Sequence, residues 1–508
     1  MVVKLPRGST HGVWILAATI LGSAMPGIDA TAVNVALPVL QRELHAGSDA
    51  TQWIVEAYSL LLSALILVGG SLGDRIGRRR LFVIGVCTFA FASLGCAISQ
   101  TVLELIIARG LQGVGGAMLV PESLALITAS FDERQRGAAI GTWSGFLAAT
   151  MAIGPLLGGW LVQSASWRYV FLINLPLALI VVLISLRFVE ESRDEETAGN
   201  IDWLGAALAT SALGCLTYGF IALQSLRVDY TGLATVFAGI ALFGAFVFVE
   251  RHSASPMVPL HIFSSRDFTI ANVYTFFLYG ALTASLFFVP FNLINVQHYT
   301  PFAAGAALLP MIVLMFVSSR WSGGLIARIG ARIPLTIGAA VAGAGFALFG
   351  FTGVGGSYWS TFFPAVFVLG IGASTFVAPL TTTVMNAVAA EHAGTASGIN
   401  NAVSRVAGLL AIALVGIAIV SATHRELAHN DRELPPSVRA ALRADSLLSG
   451  RAADRGIPPA LRAQAQAAVT RSYETGFRDA MLLCAALAWG SAALAGIAMR
   501  TKPVKPPG

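Results

Sequence analysis

The sequence predicts an all-α protein that crosses a membrane many times. Of its 508 residues, 56% are hydrophobic and only 11% are charged, and the mean hydropathy is +0.74. A soluble core cannot bury that much apolar surface, so lipid must cover much of it. The apolar residues also fall into runs of membrane-spanning length, which short basic turns separate. These observations together predict a polytopic membrane protein.

Runs of roughly twenty apolar residues predict fourteen transmembrane helices. Six form a first block, two follow as a pair, and six form a last block. The predicted spans are residues 13–36, 52–72, 81–99, 105–129, 139–162, 168–189, 203–223, 232–249, 269–295, 303–325, 333–352, 360–388, 396–421 and 478–499. Because the first run is longer than a signal peptide, we expect it to be retained as a membrane helix.

The spans predict a domain organisation of two six-helix bundles and a linker that carries two additional helices. An even number of spans places both termini on one side of the membrane. The predicted parts are the N-terminal segment 1–12, the first bundle 13–189, the linker 190–267, the second bundle 268–500 with a long outer loop 423–477, and the tail 501–508. For this loop, a partner-binding role and an ordinary extracellular hairpin both stay open.

The basic residues of the short loops predict the orientation. Lys and Arg are enriched in cytoplasmic loops of membrane proteins. They concentrate on one predicted side, at Arg75, Arg78, Arg79, Arg80, Arg134, Arg136, Arg328, Arg332, Arg500, Lys502 and Lys505. We therefore expect a multi-pass protein of the cell (inner) membrane with both termini in the cytoplasm.

A glycine-rich basic turn occurs twice. The first copy runs from Gly70 to Arg80, and a weaker copy follows about 253 residues later at 323–332, with Ala327 where Asp74 stands in the first. Internal duplication in a polytopic membrane protein is typical of transporters, whose two halves alternate access to a central site.

Several classes of function are excluded or disfavoured by the sequence. The net charge of +6 comes from basic residues scattered in turns, so we expect no nucleic-acid partner. The four cysteines lie in apolar runs without metal-ligand spacing, and we expect neither a metal nor a cofactor. There is no HExxH, Gly-x-Ser-x-Gly or P-loop motif, which disfavours an enzyme and direct use of ATP.

Charged residues inside predicted spans are the first candidates for function, because each one needs a partner or a water-filled cavity. Asp29 lies in the outer half of the first span and Arg109 a few residues inside the outer end of the fourth. Opposite helix directions bring them to similar depth. A carboxyl balanced between burial and a nearby guanidinium is a candidate proton site; the alternative is a static buried ion pair.

Two further acids lie inside predicted spans. Glu56 is about one turn inside the outer end of the second span, where it is either a proton site or an acid that reaches interfacial water. Glu122 follows Pro121, which breaks the fourth span and frees backbone groups. Glu122 is about 140° from Arg109 around the helix, yet the proline kink leaves it a candidate cation or proton site.

Other polar and glycine-rich clusters have mechanical interpretations. We expect Arg405, Asn400 and Asn401 to form a buried polar cluster, which either serves the site or ties helices together. Proline and small residues in the fifth span predict a pliant helix that a neighbour approaches closely, at Gly154, Pro155, Gly158 and Gly159.

The acid of the first basic turn suggests a gate. We expect Asp74 to accept hydrogen bonds from the helix start at 394–397, where the helix dipole leaves partial positive charge. The alternative is turn geometry with positive-inside anchoring.

Taken in order, these motifs resemble the fourteen-helix drug/proton antiporter branch of the major facilitator superfamily. The resemblance covers about residues 13 to 500. It is carried by residues 29–38, 70–79, 109–116, 154–155, 167–176 and 296–301.

The resemblance implies residue roles. Asp29 is implied to act in proton coupling or cation recognition and Arg109 in proton transfer, whereas Gly154 and Pro155 mark antiporters. The implied conformational switch comprises Gly70, Asp74, Arg75, Gly77 and Arg78. Ala327 departs from the pattern in the second half, and the motifs do not include Glu56 or Glu122.

The sequence thus predicts a proton-driven exporter of small amphipathic or lipophilic, mainly cationic compounds. We expect a monomer in membrane lipid whose partners are its small-molecule substrate and protons. The predicted substrate cavity is lined by Asn34, Gln112, Phe146, Tyr279, Phe288, Asn292 and Asn401. A dedicated exporter of one endogenous metabolite fits the same motifs; a membrane-embedded enzyme or a receptor fits less well.

Overall fold

The computed structural model is mainly helical in the residues that it describes. It describes residues 10–131, 133–192, 202–223, 230–253, 256, 258–315, 317–318, 329–388, 393–430, 435–444 and 457–499.

Seven helices form the first part of the chain. They are α1 (Thr10–Glu43), α2 (Ser48–Ile76), α3 (Arg78–Ile98), α4 (Val102–Ser130), α5 (Glu133–Ser164), α6 (Arg168–Leu172) and α7 (Asn174–Phe188). The start of α4 is a capping box, in which Thr101 accepts from the backbone N–H of Glu104 while the Glu104 side chain accepts from that of Thr101. Gly77, the one residue between α2 and α3, has a φ of 112°, which L side chains rarely adopt.

The remaining helices follow the same apolar pattern. They are α8 (Trp203–Ala222), α9 (Tyr230–His252), α10 (Arg266–Phe291), α11 (Pro301–Ala306), α12 (Arg332–Phe349), α13 (Phe362–Asn386), α14 (Ala393–Asn430), α15 (Pro436–Ala444) and α16 (Arg462–Ala498). One π-helical turn, Asn292–Val296, continues α10.

The predicted spans agree in place with the helices. Helix occurs in each of the fourteen predicted segments. Within the described ranges, eleven helices are long and apolar enough to cross a membrane. Two shorter apolar stretches of helix are Ala50–Ile66, which lies within α2, and Pro301–Met315, which begins with α11. The count of fourteen crossings stays a prediction. Many helices run several residues past the predicted span, because a helix does not have to end where the hydrocarbon does.

The chain divides into two compact units. The first comprises Met1–Ala36, Trp53–Gly214 and Gly239–Leu260, and the second comprises Leu37–Gln52, Cys215–Ala238 and His261–Gly508. The predicted second bundle, 268–500, falls within the second unit. The domain limits predicted from the sequence otherwise stay predictions.

Each unit contains a pair of helices in backbone contact at glycines. In the first unit, a Cβ on Gly85 of α3 would lie 2.8 Å from the backbone N of Leu119 in α4. In the second unit, a Cβ on Gly338 of α12 would lie 3.0 Å from the backbone N of Phe376 in α13. The two glycines have the spacing of the repeated basic turn. The close helix pair is therefore repeated in the two halves, while residues 323–328 of the second turn lie outside the described part.

Helices extend into both ends of the predicted outer loop 423–477. Helix α14 continues to Asn430 and α16 begins at Arg462, so that both ends of this segment are helical. Between them lies α15. A small apolar core explains the longer helices, since all three contribute side chains to it: Leu427, Val438, Leu442, Ala465, Ala468 and Val469, together with Ile457 ahead of α16.

We predict that Gly115→Ala destabilises the protein by about 1–3 kcal/mol, because its Cβ would lie 2.6 Å from the backbone N of Phe89. Gly244→Ala in α9 is the matched control, since a Cβ there meets nothing within 4 Å and alanine favours helix. Thermal unfolding of the purified protein in detergent measures the effect. Equal unfolding temperatures for the two variants would contradict the close α3–α4 packing.

Candidate functional site

Asp29 lies at the centre of a buried ionic network in the first unit. Its side chain is 0% exposed, and its Oδ2 accepts from Nη1 of Arg109, which is 1% exposed. Its Oδ1 accepts from Nε2 of Gln112 at 2.9 Å and from Nδ2 of Asn174 at 3.4 Å. Three donors therefore satisfy the carboxylate where no solvent reaches it.

The guanidinium of Arg109 is held on several sides. Its Nε donates to the backbone oxygen of Ile54 in α2 at 2.9 Å, and its Nη1 also donates to Oε1 of Gln112 at 2.7 Å. Its Cζ lies 4.4 Å from the centroid of the Tyr58 ring, a cation–π distance. These contacts fix the position of the positive charge beside Asp29.

Ser93 of α3 links the amide side chains of the network. Its Oγ accepts from Gln112 Nε2 at 2.8 Å and from Asn174 Nδ2 at 3.2 Å, and it donates to the backbone oxygen of Phe89 at 2.8 Å. With Asp29 on α1, Arg109 on α4 and Asn174 on α7, the network joins four helices by side chains. A buried charge pair with this many hydrogen bonds holds its members in one arrangement.

Helix α5 packs against α1 beside Asp29. A Cβ on Gly154 would lie 1.8 Å from Oγ1 of Thr31, and a Cβ on Gly158 would lie 2.7 Å from the Cα of Ala32. Glycines at both positions therefore let α5 approach α1, as the spacing predicts. Pro155 and Gly159 are buried in the same helix.

Glu56 of α2 is buried without a hydrogen-bond partner in the described part of the chain. Its side chain is 0% exposed, and neither carboxyl oxygen has a partner there. The alternative of an acid that reaches the surface is therefore wrong. Gln52 and Ser63 are buried on the same face of α2, and Ser59 is half-buried between them. The sequence did not identify this polar stripe.

Glu122 of α4 is also buried and lies against the end of α2. A Cβ on Gly73 would come within 2.2 Å of its Oε1. Its carboxyl is therefore next to the glycine-rich turn, and it is not a member of the Asp29 network. The helical-phase argument predicts this separation from Arg109.

The glycine-rich turn is described in part. Gly70 makes an ordinary contact with Pro121, and Arg75 is half-buried. The backbone N–H of Arg78 donates to the backbone oxygen of Ser192 at 2.9 Å. The side chain of Asp74 lies outside the described residues, so its predicted contact with 394–397 stays a prediction.

The prediction that Asn400, Asn401 and Arg405 of α14 form a buried polar cluster is wrong, because none of the three is fully buried. Asn400 is half-buried and its Nδ2 donates to Asn272 and Thr275 of α10, at 3.1 Å and 2.7 Å. Asn401 is exposed and its Oδ1 accepts from Nε of Arg405 at 3.2 Å. Residues one position apart face different directions on a helix, so Asn400 ties α14 to α10 while the neighbouring Asn401 faces elsewhere.

The residues of the predicted substrate cavity have different surroundings. Gln112 belongs to the Asp29 network, and Asn34 is half-buried. Phe146 is 56% exposed. In the second unit, Tyr279 lies 6.0 Å from the Phe376 ring, Phe288 packs fully buried on Phe287, Asn292 accepts from Gln297, and Asn401 is exposed. Their grouping in one cavity stays a prediction.

Comparison with known proteins identifies the family. Residues 19–412 match the Major Facilitator Superfamily. The chain belongs to this superfamily. It is 34% identical over 489 residues to "Multidrug resistance protein Stp" of Mycobacterium tuberculosis, covering 93% of this chain and 89% of that protein. It is 33% identical over 408 residues to "Tetracenomycin C resistance and export protein" of Streptomyces glaucescens, covering 80% of this chain and 76% of that protein.

The superfamily fold is also found in solved structures. A bacterial homolog of the human lysosomal transporter Spinster, crystallised inward-facing and unoccupied, aligns with a TM-score of 0.68. It covers 97% of each chain at 15% identity, which supports the fold alone. The chain is therefore a multi-pass membrane transporter of small molecules, and its family is not one of enzymes.

The sequence did not identify Ser93 and Asn174 as members of the buried ionic network around Asp29. Asn174 stood in the 167–176 motif, but nothing in the spacing indicated that its amide reaches Asp29. Ser93 is one serine in an apolar helix. A polar residue on the buried face of α3 was the available signal.

We predict that Asp29→Asn destabilises the transporter by about 3 kcal/mol, because it leaves the Arg109 charge buried without its counter-ion. The double variant Asp29→Asn with Arg109→Gln should regain most of this loss, since no buried charge is left unpaired. Thermal unfolding in detergent measures both. Losses that simply add would show that the pair does not act as a unit.

Proposed function

We propose that this chain exports small amphipathic or lipophilic, mainly cationic compounds across the cell membrane in exchange for protons. It works by alternating access, as a monomer in membrane lipid with both termini in the cytoplasm. Membership of the superfamily and two relatives named for drug resistance or export support the export part. The buried charged groups of the first unit support the coupling part.

The observation that carries proton coupling is the buried carboxyl of Glu56, which has no hydrogen-bond donor among the described residues. An ionised carboxylate without donors inside the membrane costs several kcal/mol, so we propose that this carboxyl holds a proton. The proton is released when the surroundings of Glu56 become wet or when a cation arrives. Exchange of a proton for a cationic substrate at a carboxyl is the elementary step of an antiporter.

Asp29 is the second proposed coupling acid. Its carboxylate accepts from Arg109, Gln112 and Asn174 in the arrangement described here. Its role in coupling therefore requires a conformation in which the contact with Arg109 opens, whereas Glu56 needs no ion pair to break.

Glu122 is a third candidate acid for coupling or cation binding. Its carboxyl lies against Gly73 of the glycine-rich turn. Its carboxyl therefore lies beside the turn that we propose to switch the conformation, formed by Gly70, Asp74, Arg75, Gly77 and Arg78.

A dedicated exporter of one compound is the second candidate. The name of the Streptomyces glaucescens relative gives tetracenomycin C as its compound. A panel of dyes and antibiotics separates the two, because a multidrug exporter moves several unrelated compounds.

We predict that gradient-driven ethidium transport in proteoliposomes is lost in Glu56→Gln and Asp29→Asn. Ethidium exchange at equal pH on both sides should persist in Glu56→Gln, because glutamine removes the titrating proton but keeps the side-chain shape. Glu190→Gln is the control, since Glu190 is an exposed acid. Ethidium fluorescence under an imposed pH gradient measures the flux.

The outcomes separate the coupling residues. Gradient-driven transport that survives both substitutions would contradict this assignment and move coupling to Glu122. Failure of the native protein to transport any compound of the panel would contradict multidrug export and favour the dedicated exporter.

A further inference from the structure

The segment that follows α7 is attached to the start of α3. The carboxylate of Glu191 accepts from the backbone N–H of Arg79 at 3.0 Å and from that of Arg80 at 3.2 Å. It also lies 3.7 Å from Nε of Arg79 and 3.6 Å from Nε of Arg80. The first N–H groups of a helix have no partner within the helix and carry partial positive charge, so Glu191 satisfies the start of α3 from a distant part of the chain.

A second contact joins the same two helix ends, and in this one the cation comes from α3 and the acceptor from the end of α7. Nη1 of Arg79 donates to the backbone oxygen of Val189, which caps the end of α7, at 3.1 Å. The last carbonyl groups of a helix carry partial negative charge and attract cations. An acid from the α7 side therefore caps α3, and a cation from the α3 side caps α7. We call this pair of contacts the cross-cap, formed by Arg79, Val189 and Glu191.

Gly77 makes room for the cross-cap. A Cβ on this glycine would lie 2.5 Å from Oε1 of Glu191, and its φ of 112° disfavours any other residue. The glycine of the turn between α2 and α3 is thus explained by the carboxylate packed on it. The adjacent hydrogen bond from Arg78 N–H to Ser192 oxygen extends the attachment by one more residue.

We propose that Glu191 is the positioning residue of the glycine-rich turn. Through the cross-cap it makes the α2–α3 turn move as one body with the end of α7, and it thereby holds Arg75 and Arg78 in place for the conformational switch. The proposed role of Glu191 acts through Arg79 and Arg80 and not through substrate contact or proton transfer. This inference rests on the proposed function only where transport is concerned, because the cross-cap itself is testable without transport.

The first test measures backbone amide hydrogen exchange in the first turn of α3. In Glu191→Gln, the amides of Arg79 and Arg80 should exchange about tenfold faster, because hydrogen bonds to a carboxylate are stronger than those to a neutral amide. Glu190→Gln is the matched control, since Glu190 is the exposed neighbour in the same segment. Unchanged exchange in Glu191→Gln, or an equal change in both variants, would overturn the cross-cap.

The second test is a double-mutant cycle on transport with Arg79→Gln and Glu191→Gln. Each single variant should lower the maximal rate of ethidium transport several-fold and leave ethidium affinity within about twofold, because the rate of the switch changes and the binding site does not. The double variant should be no slower than the slower single variant. Rates that multiply, or a loss of affinity, would overturn the positioning role.

Glu191→Gln retains the side-chain shape and Arg79→Gln shortens the side chain, so monodisperse elution in detergent verifies that both variants fold. If the native protein transports nothing while Glu191→Gln still changes exchange in α3, the proposed function fails and the cross-cap stands. If transport is normal and exchange is unchanged, the cross-cap fails and the proposed function stands.

Discussion

The requirement that a charge inside a membrane be satisfied governs the first unit. Arg109 and Asp29 are both buried, and each would be destabilising alone. Their contact needs α1 and α4 at one depth, and the remaining donors and acceptors come from α2, α3 and α7. The ion pair thus fixes how five helices meet, which ordinary apolar packing does not, because lipid tails are as apolar as the side chains.

Glycines make this meeting of helices geometrically feasible. Gly113 of α4 approaches the backbone of Tyr58 in α2 so closely that a Cβ would lie 2.4 Å from the Tyr58 carbonyl oxygen. Gly154 brings α5 against α1 two residues after Asp29. Small residues at such positions let helices pack in backbone contact. We therefore expect the helices of each close pair to move together between conformations.

The sequence predicted much of the fold and part of the site, for identifiable reasons. Apolar runs located a helix in every predicted span, since length and hydropathy dominate in lipid. Depth alone brought Asp29 and Arg109 together. The extended ends of α14 and α16 were missed, because a small apolar core outside a span is not distinguishable from loop composition. Asn401 was misplaced because adjacent residues differ by about 100° around a helix.

The three buried acids of the first unit differ in their surroundings, which a hydropathy pattern does not reveal. Asp29, Glu56 and Glu122 read alike in the sequence, as carboxylates inside apolar runs. Their partners separate them: Asp29 has three donors, Glu56 has none within the described chain, and Glu122 lies against a glycine of the turn. We therefore propose different roles for the acids in antiport. Asp29 holds the helices of the first unit through its ion pair, whereas Glu56, without donors among the described residues, is placed to exchange a proton for a cationic substrate.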